Sequence, residues 1–336
     1  MIANDKIQTC SGVEPPLIKI DGVSKSFVQE KGLFSSIKNK YIYAVDDVSF
    51  TMHQGETLGL IGESGCGKTT IGRILLHLLS PDRGSVEFRG KDIIPLRGPE
   101  LKSIRRRINV VFQDPYESLN PRLRVEEIIA EPMLSHRMKP SLKACSEQVA
   151  NLLNDVGLRP EYARRFPHEF SGGQRQRIGI ARAIALNPEL IVCDEPVSAL
   201  DVSIQAQIMN LLLQLQAEKG IAFLFISHDL SVIRHLSDTI AVMYLGRIVE
   251  SAPRDELFKS PLHPYTRALL SALPDFESAE QDNRIVLKGE IPSPTKQYAG
   301  CSFASRCYMC HDKCLTTKPI MEEKGKNGHW VACLYT

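Results

Sequence analysis

The run Gly62-Glu63-Ser64-Gly65-Cys66-Gly67-Lys68-Thr69 constrains this chain more than any other stretch. It follows the apolar segment ETLGLIG and opens into TTIGRILLHLLS, a helical stretch that Pro81 closes. A buried strand, a glycine-rich turn and a helix in that order make a phosphate cradle. The glycines let backbone N–H groups point inward, and the helix N-terminus adds its positive end. Lys68 then reaches β- and γ-phosphates, Thr69 gives its hydroxyl to Mg²⁺, and Thr70 offers a further hydroxyl. Such a unit belongs at the carboxyl edge of a mostly parallel sheet, so the chain is expected to be α/β.

The rest of the pattern fits that class. Residues 17–27 and 43–53 alternate apolar and polar side chains as half-buried strands do, with VQEKGLFSSIKNK as a long hairpin loop between them. GSVEFRGKDI reads as a sheet edge, PELKSIRRR as a helix and INVVFQD as a strand. From Val125 to about Pro167 the periodicity is helical, with amphipathic stripes in IIAEPML and EQVANLLNDVGL. A helix from near Ser171, strand LIVCDE, helix 203–218, strand IAFLFIS, helix 229–236 and strands TIAVMYL and RIVES follow. HPYTRALLSAL closes this unit as a helix, and residues 274–300, polar and proline-containing, read as a linker. The expected division is a core at 17–273 with a helical subdomain at about 115–170, the linker 274–300, and a cysteine-rich domain at 301–336.

At 336 residues, 43% hydrophobic and 24% charged, the chain suits one large soluble domain plus an appendage, or two modest domains. A net charge of +2 gives no bulk electrostatic case for nucleic acid, and Arg105-Arg106-Arg107 is short enough to be a solvated face or a phosphate or lipid neighbour. No apolar run approaches the roughly 18–20 residues that span a bilayer. MIANDKIQTC has neither a basic n-region nor an apolar h-region, so no signal peptide is read. The chain is expected to be cytosolic, with any membrane association going through a partner.

Chemistry concentrates at strand ends. Asp194 ends LIVCD and suits a Mg²⁺ role, and Glu195 after it is placed to polarise an attacking water. Either could instead be a salt-bridge acid capping a strand. Gln113, after INVVF, can offer its amide oxygen to Mg²⁺ and water, although a lone Gln there is commonly a surface residue. His228 ends FLFIS, where an imidazole could hold a γ-phosphate and meet Glu195, or be structural. Asp201 ends the turn Ser198-Ala199-Leu200-Asp201 into a helix, as a nucleotide-site residue or as an ordinary helix cap. Ser171-Gly172-Gly173-Gln174 lies at a helix N-terminus, a physical match for a phosphate.

Taken together, the phosphate loop, SGGQ and Asp194-Glu195 resemble one family along nearly all of positions 17–273: the ATPase subunits of ATP-binding-cassette (ABC) machines. The resemblance implies a P-loop NTPase core with a helical and an antiparallel β subdomain. It implies ATP sandwiched between two subunits. The 62–69 loop, Asp194, Glu195, Gln113 and His228 bind it from one side, while Ser171, Gly172, Gly173 and Gln174 reach across from the other. An aromatic ring upstream of the loop stacks on adenine in this family. Phe27 matches best, with Tyr41 or Tyr43 as alternatives and a core role for Phe27 also open. With every motif intact, hydrolytic competence is expected.

A narrower resemblance, to the ATPase subunits of oligopeptide/dipeptide importers and their nickel-import members, rests on AVDDVSF, GESGCGKTT, VVFQDPYESLNPR, HEFSGGQRQRIGIARAIALNPELIVCDEPVSALDVSIQAQI and HPYTRALLSALP. It continues into IPSPT and CSFASRC. It implies a second ATPase subunit, a heterodimer being the usual arrangement, two membrane permeases and an external solute-binding protein, with peptide as cargo and nickel or another metal chelate as runner-up. PYESLNPR and the helical insert are where a permease would seat.

Five of the nine cysteines fall in the last 36 residues, which in a reducing compartment argues metal before disulfide. Cys301, Cys307, Cys314 and Cys333 match the subgroup's pattern, which implies a 4Fe–4S cluster. Four thiolates also suit zinc, but paired C-x2-C knuckles are missing. Cys310 and the lack of a proline after Cys307 depart from the pattern, leaving a Cys307/Cys310 zinc site open. His311 and His329 are further donors, expected at the surface. With little core of its own, the tail is expected to need its metal to fold.

Overall fold

Two sheets divide the chain's hydrophobic residues between them. The computed structural model describes residues 15–29, 40–273, 285–290, 292–295, 298–324 and 328–336. The leader MIANDKIQTC, positions 30–39 of the hairpin loop and much of the 274–300 linker lie outside the described residues.

Strands β1 (Ile18–Gln29) and β2 (Lys40–Met52) pair antiparallel from Ile18↔Met52 to Gln29↔Lys40. After β3 (Thr57–Ile61) and α1 (Lys68–Leu75), β4 (Arg83–Phe88) and β5 (Lys91–Asp92) complete a four-stranded sheet in the order β2-β1-β4-β5. Alternation turns Ile18, Ile20, Val23, Val45, Val48, Val86 and Phe88 inward, into one buried cluster with Ile71, Ile74 and Leu75 of α1. Each such side chain contributes about 1.5–3 kcal/mol by leaving water.

Helix α2 (Gly98–Arg107) leads into β6 (Ile108–Val111). The short α3 (Pro115–Ser118) then precedes α4 (Val125–Ser135) and α5 (Leu142–Asp155), where the helical periodicity placed them. Alternation resumes through α6 (Gly172–Ile184), β7 (Leu190–Asp194), α7 (Val202–Lys219), β8 (Ala222–Ser227), α8 (Leu230–Leu236) and β9 (Thr239–Tyr244). Strands β9, β3, β8, β7 and β6 run parallel side by side. Every residue of β3 and β8 is buried, as expected where helices cover both faces.

The far edge is antiparallel. β10 (Arg247–Pro253) returns along β9, α9 (Arg254–Lys259) and α10 (Pro264–Leu270) pack behind it, and the tail adds α11 (Asp312–Thr316), β11 (Glu322–Glu323) and β12 (Trp330–Val331). β12 pairs with β10 through Glu250↔Val331, giving the order β11-β12-β10-β9-β3-β8-β7-β6.

The tail, with little core of its own, packs on the cassette: Phe303 is fully buried, 5.1 Å from the Tyr244 ring, 5.4 Å from Tyr265 and 5.7 Å from His263. One expectation about the tail is corrected here. His329 is buried, not at the surface, and its Nε2 donates to Glu250 Oε1 at 2.7 Å. The reason is Glu250 itself, a fully buried carboxylate that needs donors. The backbone N–H groups of Leu262 (2.6 Å) and His263 (2.9 Å) supply the others.

Candidate active site

The turn after β3 takes backbone conformations that only glycine carries easily. Gly62 has φ 153° and Gly67 has φ 109°. A Cβ would lie 2.1 Å from Met243 O at the first and 2.1 Å from Ala44 O at the second. Gly67 is the N-cap of α1, whose first turn therefore faces the loop's concavity. Ser64 and Gly65 are exposed at the apex, and nothing lies within 4 Å of a Cβ placed on Gly65, so the cradle is open on that side. Lys68 is buried and folded back: its ammonium donates to Gly62 O (2.7 Å) and Glu63 O (3.1 Å) and touches Cys66 Sγ (3.7 Å). Burial pushes the Cys66 thiol up.

The parallel strands deliver the remaining groups to the same carboxyl edge. Asp194, at the end of β7, accepts from the Thr69 hydroxyl at 3.1 Å. Burial pushes its carboxyl above the ordinary value and the charge of Glu195 adds to that, while Thr69, Arg73 and Lys68 pull it down. Glu195 joins two neighbours. Gln113 Nε2 donates to its Oε2 at 3.0 Å, and His228 Nδ1 lies 3.0 Å from its Oε1, as donor to a carboxylate oxygen. Gln113 follows β6 and His228 follows β8, so neighbouring strands in the sheet order bring the three together. All three side chains thus meet at one edge of the sheet.

Ser171 to Gln174 form a reciprocal capping box on α6. Gln174 N–H donates to Ser171 Oγ (3.4 Å), and Ser171 N–H donates to Gln174 Oε1 (3.1 Å). Glycine at 173 is a packing requirement, because a Cβ would meet Ile204 Cγ2 at 2.4 Å. Asp201 is the cap of α7, accepting from Ile204 N–H (3.0 Å) and from the Ser203 hydroxyl (2.7 Å). Among the described hydrogen bonds none joins residues 171–174 to the 62–70 loop. Phe27 is exposed and not a core residue; Lys25 Nζ lies 5.8 Å from its ring. Tyr41 is exposed and Tyr43 half-buried.

In the tail, Cys301, Cys307, Cys314 and Cys333 line one small apolar pocket with Phe303, Met309 and Tyr335. Cys310 is exposed and does not line it. Cys301 N–H donates to Cys314 O at 2.8 Å, which draws two of the four together. Burial pushes the Cys307 thiol up to about 11 and raises Cys301 as well. Among the described residues, no three His, Cys, Asp or Glu side chains are drawn together tightly enough to hold a metal ion.

Residues 45–198 match the ABC transporter family, and residues 249–314 match the oligopeptide/dipeptide transporter C-terminal region. Across the whole chain, the oligopeptide transport ATP-binding protein AppF of Bacillus subtilis is 51% identical over 320 residues, 94% of this chain and 96% of that protein. This chain belongs to the ABC transporter ATP-binding subunits. The dipeptide transport ATP-binding protein DppF of Escherichia coli is 44% identical over 322 residues, 96% of this chain and 95% of its own length. A solved dimer of the ATP-binding cassette MJ0796, bound to ADP and Pi, superposes with a TM-score of 0.62 at 31% identity, covering 70% of this chain and 98% of that one. The fold is thus that of an ABC cassette.

One set of site residues escaped the sequence. Tyr265 takes the Glu63 N–H on its hydroxyl at 3.1 Å, and Arg306 clasps the Glu63 carboxylate from the tail. The single hint available beforehand was a carboxylate inside a loop that has to receive an anion.

Proposed function

We propose that this chain is the ATP-hydrolysing, energy-coupling subunit of a peptide importer, working on the cytoplasmic face of the membrane beside two permeases and a second, different ATPase subunit. The observation that carries the reading is the convergence of Lys68, Thr69, Asp194, Gln113, Glu195 and His228 on one edge of the parallel sheet. Thr69, Asp194 and Gln113 would hold Mg²⁺, which supplies charge neutralisation at the phosphates. Glu195 orients and polarises water, Gln113 and His228 hold its carboxylate in place, and Lys68 exchanges its backbone carbonyls for phosphate oxygens. Ser171, Gly172, Gly173 and Gln174 serve the nucleotide on the partner subunit's loop, as the dimeric state of MJ0796 suggests, with Asp201 at the same seam. Phe27 is the ring offered to adenine. No helix among the described residues is long and apolar enough to cross a membrane, so attachment runs through the permeases. The peptide cargo is taken from the names of AppF and DppF and from the C-terminal match. Substituting Glu195→Gln is expected to cut steady-state ATP hydrolysis at least about 100-fold while ATP binding persists. Wild-type turnover in that variant would remove Glu195 from its role.

The cysteine-lined pocket is the proposed seat of a 4Fe–4S cluster. Four thiols lining one pocket are the donor set such a cluster needs, and the paired C-x2-C knuckles usual for structural zinc are missing. Binding a cluster would require the thiols to give up their protons. Because the tail docks on the cassette, the test uses the full chain. Anaerobically purified protein is expected to carry iron and sulfide with a visible absorbance, and Cys307→Ser with Cys314→Ser to lose both. Iron-free wild-type protein that takes up none on reconstitution would sink the idea.

A further inference from the structure

Glu63 places a negative charge in the loop that must receive a polyphosphate, and among the described residues no side chain of the cassette proper pairs with its carboxylate. The counter-charge comes from the tail. Arg306, on a tight turn between Cys301 and Cys307, sets Nη1 2.8 Å from Glu63 Oε2 and 3.1 Å from Oε1, with Nη2 3.1 Å from Oε1. The guanidinium side chain is 8% exposed and the carboxylate 23%, so the pair is weakly screened. Nη1 also reaches the Tyr244 hydroxyl at 3.5 Å. The turn itself is fixed by Phe303, fully buried against Tyr244 and Tyr265. Tyr265 in turn accepts the Glu63 N–H. Both the backbone and the side chain of one loop residue are therefore held by the C-terminal side of the molecule.

We propose that Arg306 is a positioning residue for the nucleotide: it cancels and anchors the Glu63 carboxylate, so that the docked tail sets how tightly this chain's own loop binds Mg-ATP. A two-pronged guanidinium both neutralises the carboxylate and fixes its direction, which a lysine at the same place would do only in part. Without Arg306, an unpaired carboxylate would face the incoming phosphates across a short, partly buried distance, where like charges repel most strongly.

The proposal rests on the ATPase reading of the loop. Titration of the purified full chain with Mg-ATP tests it. Arg306→Gln is expected to weaken binding on the order of tenfold and to raise KM, with kcat at saturation within about twofold of wild type. The defect should shrink as salt is raised, because it is a charge effect. Adding Glu63→Gln to Arg306→Gln removes the stranded charge and is expected to bring the Kd back to within about threefold of wild type. A role confined to holding the tail would give the opposite result, since the double variant loses both sides of the contact. Wild-type affinity in Arg306→Gln, or a double variant as weak as the single, overturns the proposal. Should Arg306→Gln not fold, Arg306→Lys replaces it, with about threefold weakening and the same recovery expected. Failure of the wild-type chain to bind Mg-ATP would count against the ATPase reading instead.

Discussion

Glu195 has a φ of 47°, a left-handed conformation that a residue with a Cβ seldom takes. Its N–H donates to Ile226 O at 2.9 Å, which locks the peptide across to β8. The strain, of order 1–3 kcal/mol, is held by the sheet around it and aims the carboxylate between Gln113 and His228. Residue identities at this site were legible because phosphate chemistry demands particular side chains at strand ends. Their partners were not. His329 went inside because a buried Glu250 recruited it from 79 positions away. Gly67 offers a direct test of backbone geometry. With φ 109° and a Cβ position 2.1 Å from Ala44 O, Gly67→Ala must displace the loop or the strand beside it. Loss of measurable ATP binding is expected, with a fall in melting temperature of about 4 °C or more in a thermal scan.

Helix α6 shows what an element adds to its residues. Its N-terminus is closed by its own capping box, and its flank grips the segment after Gln113: the Arg175 guanidinium lies 3.8 Å over the Tyr116 ring, and Arg182 Nη1 donates to Ser118 O at 2.7 Å. The helix that carries SGGQ is therefore tied directly to the stretch proposed to meet a permease. Glu189 makes a comparable seam at the start of β7, accepting from Arg89 at 2.6 Å and from Arg107. Burial alone would push its carboxyl up, but the hydrogen bonds and charges of Arg107 and Arg89 prevail and hold it below its ordinary 4.5. A depressed carboxyl stabilises the fold above the unfolded value and ceases to as pH falls through the folded one. Glu189→Gln is thus expected to cost about 1 kcal/mol at pH 7, with the gap to wild type closing below about pH 4.5 in urea melts. Long periodic elements such as α4 and α5 were readable from sequence alone. The two-residue β12 was not, since a strand that short has no period and exists only through its pairing with β10.

Across the whole molecule, the tail finishes the sheet. It covers Tyr244 and Tyr265 through Phe303, supplies His329 to Glu250 and pairs the edge of β10 through Ala332 N–H to Val249 O at 2.8 Å. Ending the chain at Gly300 would uncover an apolar face and an unpaired strand, and would strand a buried carboxylate. Such a truncation is expected to melt at least about 4 °C lower and to aggregate on concentration, as read by a thermal scan and light scattering. An unchanged melting curve would show the tail to be an independent appendage.

The clasp between Glu63 and Arg306 spans 243 positions, and a ribosome adds residues in order. At roughly 5–20 residues per second, the ATP loop is made some 12–50 s before its counter-charge exists. If Arg306 acts as proposed, the nascent cassette carries an unpaired negative charge in its mouth during that interval and is expected to bind ATP poorly. On that reading the loop becomes a good receptor only after the segment carrying Phe303 and Arg306 has been made and has packed against Tyr244 and Tyr265, so the order of synthesis itself delays arming.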